Sequence, residues 1–269
     1  MTPRRYNPWT ALALVVYHGL AIAALFLPMP PAHLAAAALV YLGVGLGTTL
    51  GLHRRLSHGA FSCPRWLEYG LVTLAMLTLQ SNPLEWVANH RLHHARTETD
   101  QDPHTPRKGF WYSHLGWVID DAATDRLAYE VWCRDLAADP YYQWLRRYRW
   151  VPHLIAVGGV GLTAGWAAVP LILYLPMKAW MHSAYMVNSV CHTPWLGRRA
   201  HDTADDSRNV AWVGLVGLGE GWHNNHHARP GSAWFGHGWR EPDIGGWVLR
   251  GLARLGLARI RSERAARAG

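Results

Sequence analysis

Nine of the 17 histidines fall into three tight strings and one outlier: His53 and His58 in HRRLSH, His90, His93 and His94 in HRLHH, His223, His226 and His227 in HNNHH, and His192 in NSVCH. On a helix, His90 and His94 stand one turn apart and His93 lies within the same arc, so HxxHH presents three imidazoles to one side. The HNNHH string repeats that arrangement. A tetrahedral site needs three or four protein ligands, so nine nitrogens are enough for two metal ions. Imidazole suits iron, copper, nickel or zinc. Thiolate ligation finds no support in the scattered Cys63, Cys133 and Cys191, and redox iron is the leading candidate. A single histidine on an apolar face is ordinarily a packed core residue. The recurrence of HxxHH beside HxxxxH in one chain is what points to metal.

The elements that must hold these histidines are apolar. Half of the 269 residues are hydrophobic and 16% are charged, with the charges missing from long stretches. Runs at residues 9–27, 33–52, 152–169 and 171–191 are long enough to cross a bilayer, giving four transmembrane helices in two hairpins. Arg4 and Arg5 precede the first run as in a signal peptide, but its length and the second run close behind it favour a retained anchor. The formal charge of +8 would suggest nucleic acid in a soluble chain. Here the arginines fall only at the N-terminus, over residues 54–149 and over 198–267, which is the positive-inside pattern and argues against a nucleic-acid partner. The turns at 28–32 and 164–170 carry no Lys or Arg. They are expected to face outward, leaving 53–150 and 192–269 as a helical cap on the cytosolic side of a bacterial inner membrane. The absence of CxxC or a paired cysteine framework agrees with that reducing side.

Residues 66–86 are the difficult element. If they crossed the bilayer, His90, His93 and His94 would be stranded away from the other strings. The segment therefore reads as a helix lying in the interface, interrupted by Glu68, Gln80, Asn82, Pro83 and Glu85, or as a buried helix packed under the cap. Trp247 to Arg267 reads as an amphipathic basic helix that either docks on the membrane surface or covers an apolar stripe. No internal repeat of fixed period is present. The expectation is one all-α membrane domain over residues 1–269.

Three histidine boxes brought to one side by two membrane hairpins resemble the integral-membrane fatty acid desaturases, and most nearly the delta-9 acyl-CoA and acyl-lipid branch. The resemblance rests on HRLHHARTETDQDPHTPRKGFWYSHLGWV at 90–118, RDLAADPYYQWL at 134–145, NSVCHTPW at 188–195 and GEGWHNNHHARPGSA at 219–233. It implies that His53, His58, His90, His93, His94, His192, His223, His226 and His227 ligate a di-iron centre, with Asn188 holding one iron through water. Gln80, Trp86 and Ala184 match positions that shape the acyl tunnel. His104 and His114 match no ligand position and read as supporting or packing residues. Ala184 stands where vertebrate acyl-CoA members carry a hydroxylated residue at the tunnel bend. After GWV the chain reads IDDAATD, without the basic run those members set against CoA phosphates. Lys178, inside an apolar run, would snorkel, bond a neighbouring helix or mark a misplaced span limit.

The implied activity is O2-dependent introduction of a cis double bond, delta-9 by resemblance, into a saturated acyl chain carried on CoA or lipid, using two Fe2+ ions. No haem-binding or flavin-binding segment is apparent. Electrons are expected from a separate donor such as a ferredoxin or a cytochrome b5-like protein with its reductase. A membrane di-iron hydroxylase shares the first abstraction and is the nearest alternative. A His-rich metal transporter is a more remote one, since transporters usually place ion sites near the midplane at a repeat interface.

Overall fold

Pro8 and Pro31 each stand in the first turn of an apolar helix, where a missing N–H costs nothing. The computed structural model describes residues 6–124 and 129–261. Asn7 caps the first helix, Pro8–Ala24, by accepting from the Thr10 amide at 3.0 Å. The second, Pro31–Leu46, runs unbroken into a π-helical stretch, Gly47–Ser57. The apolar segments Pro8–Phe26 and Pro31–Ser57 have 19 and 27 residues, enough by length and composition to cross a bilayer. The next apolar helix, Val151–Ala164, is shorter. It ends at Gly165, whose φ of +89° only glycine adopts readily. The chain reverses there rather than at Pro170, which opens the π-helical Pro170–Tyr174 leading into Leu175–Ser189.

Trp180, fully buried, joins these helices: it packs with Val44, Leu173, Met177 and Leu218 and donates its indole N–H to Thr48 Oγ1 at 3.0 Å. Lys178 is buried too, with Nζ 5.3 Å from the Tyr17 ring centre, so it engages the neighbouring helix rather than reaching for water. His18, His182 and His114 form a chain of ring nitrogens at 3.0 Å steps that links the first helix to Leu175–Ser189 and to the short helix Phe110–His114.

The expectation of one helix over 66–86 is corrected. Helix Arg65–Met76 has 12 residues, too few to cross. The chain then breaks, with Leu79 at φ +56°, and Asn82 caps a new helix, Pro83–Arg96. Arg65–Met76 lies against the second helix so closely that a Cβ on Gly47 would sit 2.5 Å from the Leu71 carbonyl oxygen. Its Glu68 is buried and receives Tyr142 Oη at 2.6 Å, Arg55 at 2.6 Å and Arg65 at 2.8 Å. Trp66 stays exposed, while the half-exposed Leu74 lies beside Gly43 and Gly47 of the second helix and its continuation.

Helix Pro140–Tyr148 covers this core with Tyr142 and Leu145. The C-terminal helix expected over 247–267 runs instead from Ile244 to Arg254. Asp243 caps it through the Gly246 amide at 2.8 Å, and Gly256 at φ +73° follows its end. Arg259–Ile260 then pairs antiparallel with Phe61–Ser62, the one strand pair among the described residues, and 262–267 lie outside them. The chain is otherwise mostly helical.

Candidate metal centre

His53 and His58 lie five residues apart. On an α-helix that interval turns two side chains about 140° from each other, too far to share an ion. Residues 47–57 are instead wound as a π-helix, whose i→i+5 hydrogen bonds bring residue i+5 back over residue i. The His58 amide donates to the His53 carbonyl at 3.2 Å, and the two rings come within 5.1 Å. His90, His93 and His94 need no such device, because helix Pro83–Arg96 aligns them by ordinary α-helical spacing. His223, His226 and His227 occupy a six-residue helix, His223–Ala228. Asn225 pins that helix by bonding Asn209 at 2.7 Å, the Phe235 carbonyl at 2.8 Å and Glu241 at 2.8 Å. His192 closes the set at the end of Leu175–Ser189, in the turn Val190–His192.

All nine histidines enter two groups. His53, His58, His90, His94 and His226 form one, and His93, His192, His223 and His227 the other; ligand atoms within each lie within 4.8 Å of one another. The ring nitrogens of each group approach one another closely. His53 Nδ1 faces Glu220 at 2.5 Å, which places its proton there and leaves Nε2 a lone pair. Yet His53 Nε2 stands 3.0 Å from His226 Nε2, which is also 2.9 Å from His94 Nε2. His58 and His90 meet Nε2 to Nε2 at 2.7 Å, and His192 and His223 at 3.0 Å. Rings that all turn a lone pair inward at these distances would repel one another unless a cation lay between them. At metal–imidazole bonds of about 2.0–2.1 Å, as for zinc, ligands at right angles sit about 3 Å apart. The residues present therefore fit a pair of metal ions.

Behind four of these rings stands a carboxylate: Glu220 at His53, Asp102 at His93 (3.0 Å), Glu98 at His192 (3.0 Å) and Asp205 at His227 (2.8 Å). Each accepts a hydrogen bond from Nδ1–H, fixes the tautomer and turns Nε2 inward. Burial opposes a charge on these acids, but the facing imidazoles and nearby donors outweigh it and hold all four below the usual carboxylate range. Burial first, and neighbouring imidazoles second, push His58, His90, His94, His223 and His226 well below the ordinary histidine value. Burial outweighs the Asp205 bond and takes His227 to about 4. These rings are neutral at neutral pH, as metal ligation requires.

Glu220 is held in turn by Thr49 and by Arg54 at 3.4 Å. The fully buried Arg54 also reaches Asp243 at 2.7 Å and the Ala233 carbonyl at 3.1 Å, with its guanidinium 3.7 Å above the Phe235 ring. Gly219 is required here: its φ is +112°, and a Cβ would lie 2.2 Å from Asp243 Oδ1. None of the four carboxylates nor Arg54 is singled out by sequence reasoning; the acid-rich TETDQD after HRLHH was the available signal. Replacing Asp205 by Asn should weaken metal retention about 10- to 100-fold, because the amide can offer an N–H to Nδ1 and favour the wrong tautomer. Metal analysis after dialysis against a graded chelator checks this, and unchanged retention would remove Asp205 from its orienting role.

A cavity of about 390 Å³ reaches the first group at His90 and is lined by Gln80, Trp86, Ala184 and Asn188, among others. Trp86 stacks on His90 at 5.3 Å. His104 lines the same cavity and sits 4.4 Å from the His93 ring and 3.6 Å from Asp102, a supporting position. Burial pushes it down to about 3. His114 lies away from both groups, bonded to Ser189 and His182 at 3.0 Å.

Residues 29–238 match the fatty acid desaturase family model. The chain is 41% identical over 246 residues to the sn-1 stearoyl-lipid 9-desaturase of Anabaena variabilis, covering 89% of each protein. It is 41% identical over 217 residues to the sn-2 palmitoyl-lipid 9-desaturase of Nostoc sp. (strain 36), covering 80% of this chain and 75% of that one. Delta-9 acyl-lipid desaturase 1 of Arabidopsis thaliana is 37% identical over 257 residues, with 95% and 83% covered.

Proposed function

The chain belongs to the fatty acid desaturase family, related to its delta-9 members, and from that premise we propose that it inserts a cis double bond at the delta-9 position of a saturated, lipid-linked acyl chain. The observation that carries this reading is the convergence of nine histidines into groups of five and four, the first of which the cavity reaches at His90. His53, His58, His90, His94 and His226 would hold one iron. His93, His192, His223 and His227 would hold the other, with Asn188 acting through water. Bound there, iron would supply the dioxygen chemistry that removing hydrogens from unactivated methylenes demands, since no side-chain acid or base reaches that barrier. The balance is one saturated –CH2–CH2– unit, O2, two electrons and two protons giving –CH=CH– and two waters. The electrons come from a separate donor protein, a ferredoxin or a cytochrome b5-like protein with its reductase.

The chain's own residues position the reactants. Gln80, Trp86 and Ala184 border the space an acyl chain would occupy, and a misplacement of about 1 Å there changes which carbons present their hydrogens. Glu98, Asp102, Asp205 and Glu220 keep the ligand tautomers. Phe235, fully buried and 4.5 Å from the His226 ring, packs against the first group. The deciding experiment is expression in a desaturase-deficient host with double-bond localisation by mass spectrometry. A hydroxylated product, or no new product with iron bound, would overturn the reading. Ala184→Phe should lower the rate several-fold or move the double bond without reducing iron content, and an unchanged product profile would place the tunnel elsewhere.

The membrane arrangement we infer has four spans, near 9–27, 33–52, 152–169 and 171–191, with both metal groups on the cytosolic side of one domain. Pro8–Phe26 and Pro31–Ser57 meet the length requirement directly. Pro30→Cys should react with an impermeant thiol reagent from outside intact cells, and Thr99→Cys only after permeabilisation, in a background lacking Cys63, Cys133 and Cys191. External labelling at Thr99 would reverse the orientation.

A further inference from the structure

The cavity described above has a neighbour of about 580 Å³, lined by Asn82, Glu85, Gln143, Arg146, Arg147 and Arg149. Glu85 and Arg149 border both. We propose that this arginine groove docks a phosphate on the acyl carrier, so that the substrate is a phosphate-bearing acyl compound and not a neutral glycolipid. The inference rests on the reading of the first cavity as the acyl site.

Three arginines and one glutamate line the groove. Arg146 and Arg147 project from the exposed side of helix Pro140–Tyr148, whose other side buries Tyr142 and Leu145. Arg146 rests 4.4 Å over the Tyr129 ring and also feels the Glu130 carboxylate, while Arg147 sits 5.5 Å from the Tyr148 ring. Arg149 is 3.7 Å from Glu85, at the limit of an ion pair. That leaves donor capacity in a fork that matches phosphate oxygens.

Asn82 is the independent observation. It is 1% exposed, and its Oδ1 is committed to the Leu84 and Glu85 amides at 3.1 Å each. Its Nδ2 is buried with no protein partner. A buried amide N–H2 without an acceptor is costly, and an anion lodged in this groove supplies one. Asp121, bonded by Asn7 at 3.2 Å, borders the acyl cavity but not the groove, and a phosphate beside it would be repelled. The arginines of the groove thus favour a substrate whose acyl group is neutral at its ester or thioester link and whose charge lies beyond it.

The phosphate could belong to a phospholipid headgroup or to a soluble pantetheine thioester. The test separates them. Purified full-length protein in neutral detergent is titrated with stearoyl-lysophosphatidylglycerol, stearoyl-CoA and a stearoyl-monogalactosylglycerol, alongside the Arg146→Gln/Arg147→Gln double variant. Both positions are exposed, and equal melting temperatures establish that the variant is folded. At least one phosphate-bearing ligand should bind more tightly than the galactosyl ligand and lose about tenfold or more in the variant, with a matching loss at high salt. Loss confined to the lysophospholipid assigns the phosphate to a lipid headgroup, and loss confined to stearoyl-CoA assigns it to the soluble thioester. Headgroup-independent binding that the variant leaves unchanged overturns the docking site while leaving the acyl cavity standing. Failure of all three acyl ligands to bind the native protein overturns both.

Discussion

His226→Ala should yield a folded, membrane-inserted protein that makes no unsaturated product and retains about one metal ion in place of two. His226 Nε2 is the nitrogen that stands within 3.0 Å of both His53 and His94, at the middle of the group of five. Its Nδ1 has no protein partner, so the substitution removes a ligand without breaking a hydrogen bond that holds the fold. Truncation leaves four imidazoles that no longer surround one point. Metal content per chain, measured with the lipid profile of a complemented host, reads the two consequences separately. Two ions retained with normal activity would remove His226 from the centre. Loss of both ions would mean that the groups of five and four bind cooperatively.

The second large effect is expected at a residue that touches no candidate metal position. Arg54→Met removes the guanidinium that bridges Glu220 and Asp243 and leaves two carboxylates buried without it. Breaking one side of a buried ion pair costs about 3–5 kcal/mol, enough to unfold many domains outright. Purified Arg54→Met should therefore show a sharply lowered melting temperature or fail to accumulate. Adding Asp243→Asn should recover part of the loss, because the amide oxygen can still cap Gly246 while one of the two uncompensated charges is gone. An unchanged melting temperature in the single variant would mean that water or another cation replaces Arg54. Since Glu220 also fixes the His53 tautomer, whatever protein survives should bind metal less tightly.

The two sites differ in how readily the sequence discloses them. HxxHH is periodic, and α-helical spacing alone carries His90, His93 and His94 to one face. The apolar runs disclose the first hairpin for the same reason, since hydropathy over a long window is a local property. Residues 66–86 were misread as one helix because apolar character continues across the break. The Asn82–Pro83 pair inside that run, a cap followed by a first-turn proline, was the signal for a new start. The supporting carboxylates are harder still. Glu98 lies at φ +61° beyond the end of a helix and meets His192 only after 94 residues of chain return to it. Arg54 and Asp243 are 189 positions apart. Such pairings belong to the folded shape and leave no periodic trace.

The winding of residues 47–57 bears on how related chains should be aligned. An α-helix takes up one additional residue by widening locally into a π-turn. The four-residue interval of His90 and His94 and the five-residue interval of His53 and His58 are thus two solutions to one requirement, differing by a single inserted codon and the backbone that absorbs it. Deleting one residue between His53 and His58 would not merely shorten a spacer. It would return this stretch to ordinary pitch, bring the two imidazoles to the HxxxH spacing, and rotate Arg54 or its successors away from Asp243. A one-position gap in this box, wherever it occurs among relatives, should be read as a change of helical pitch.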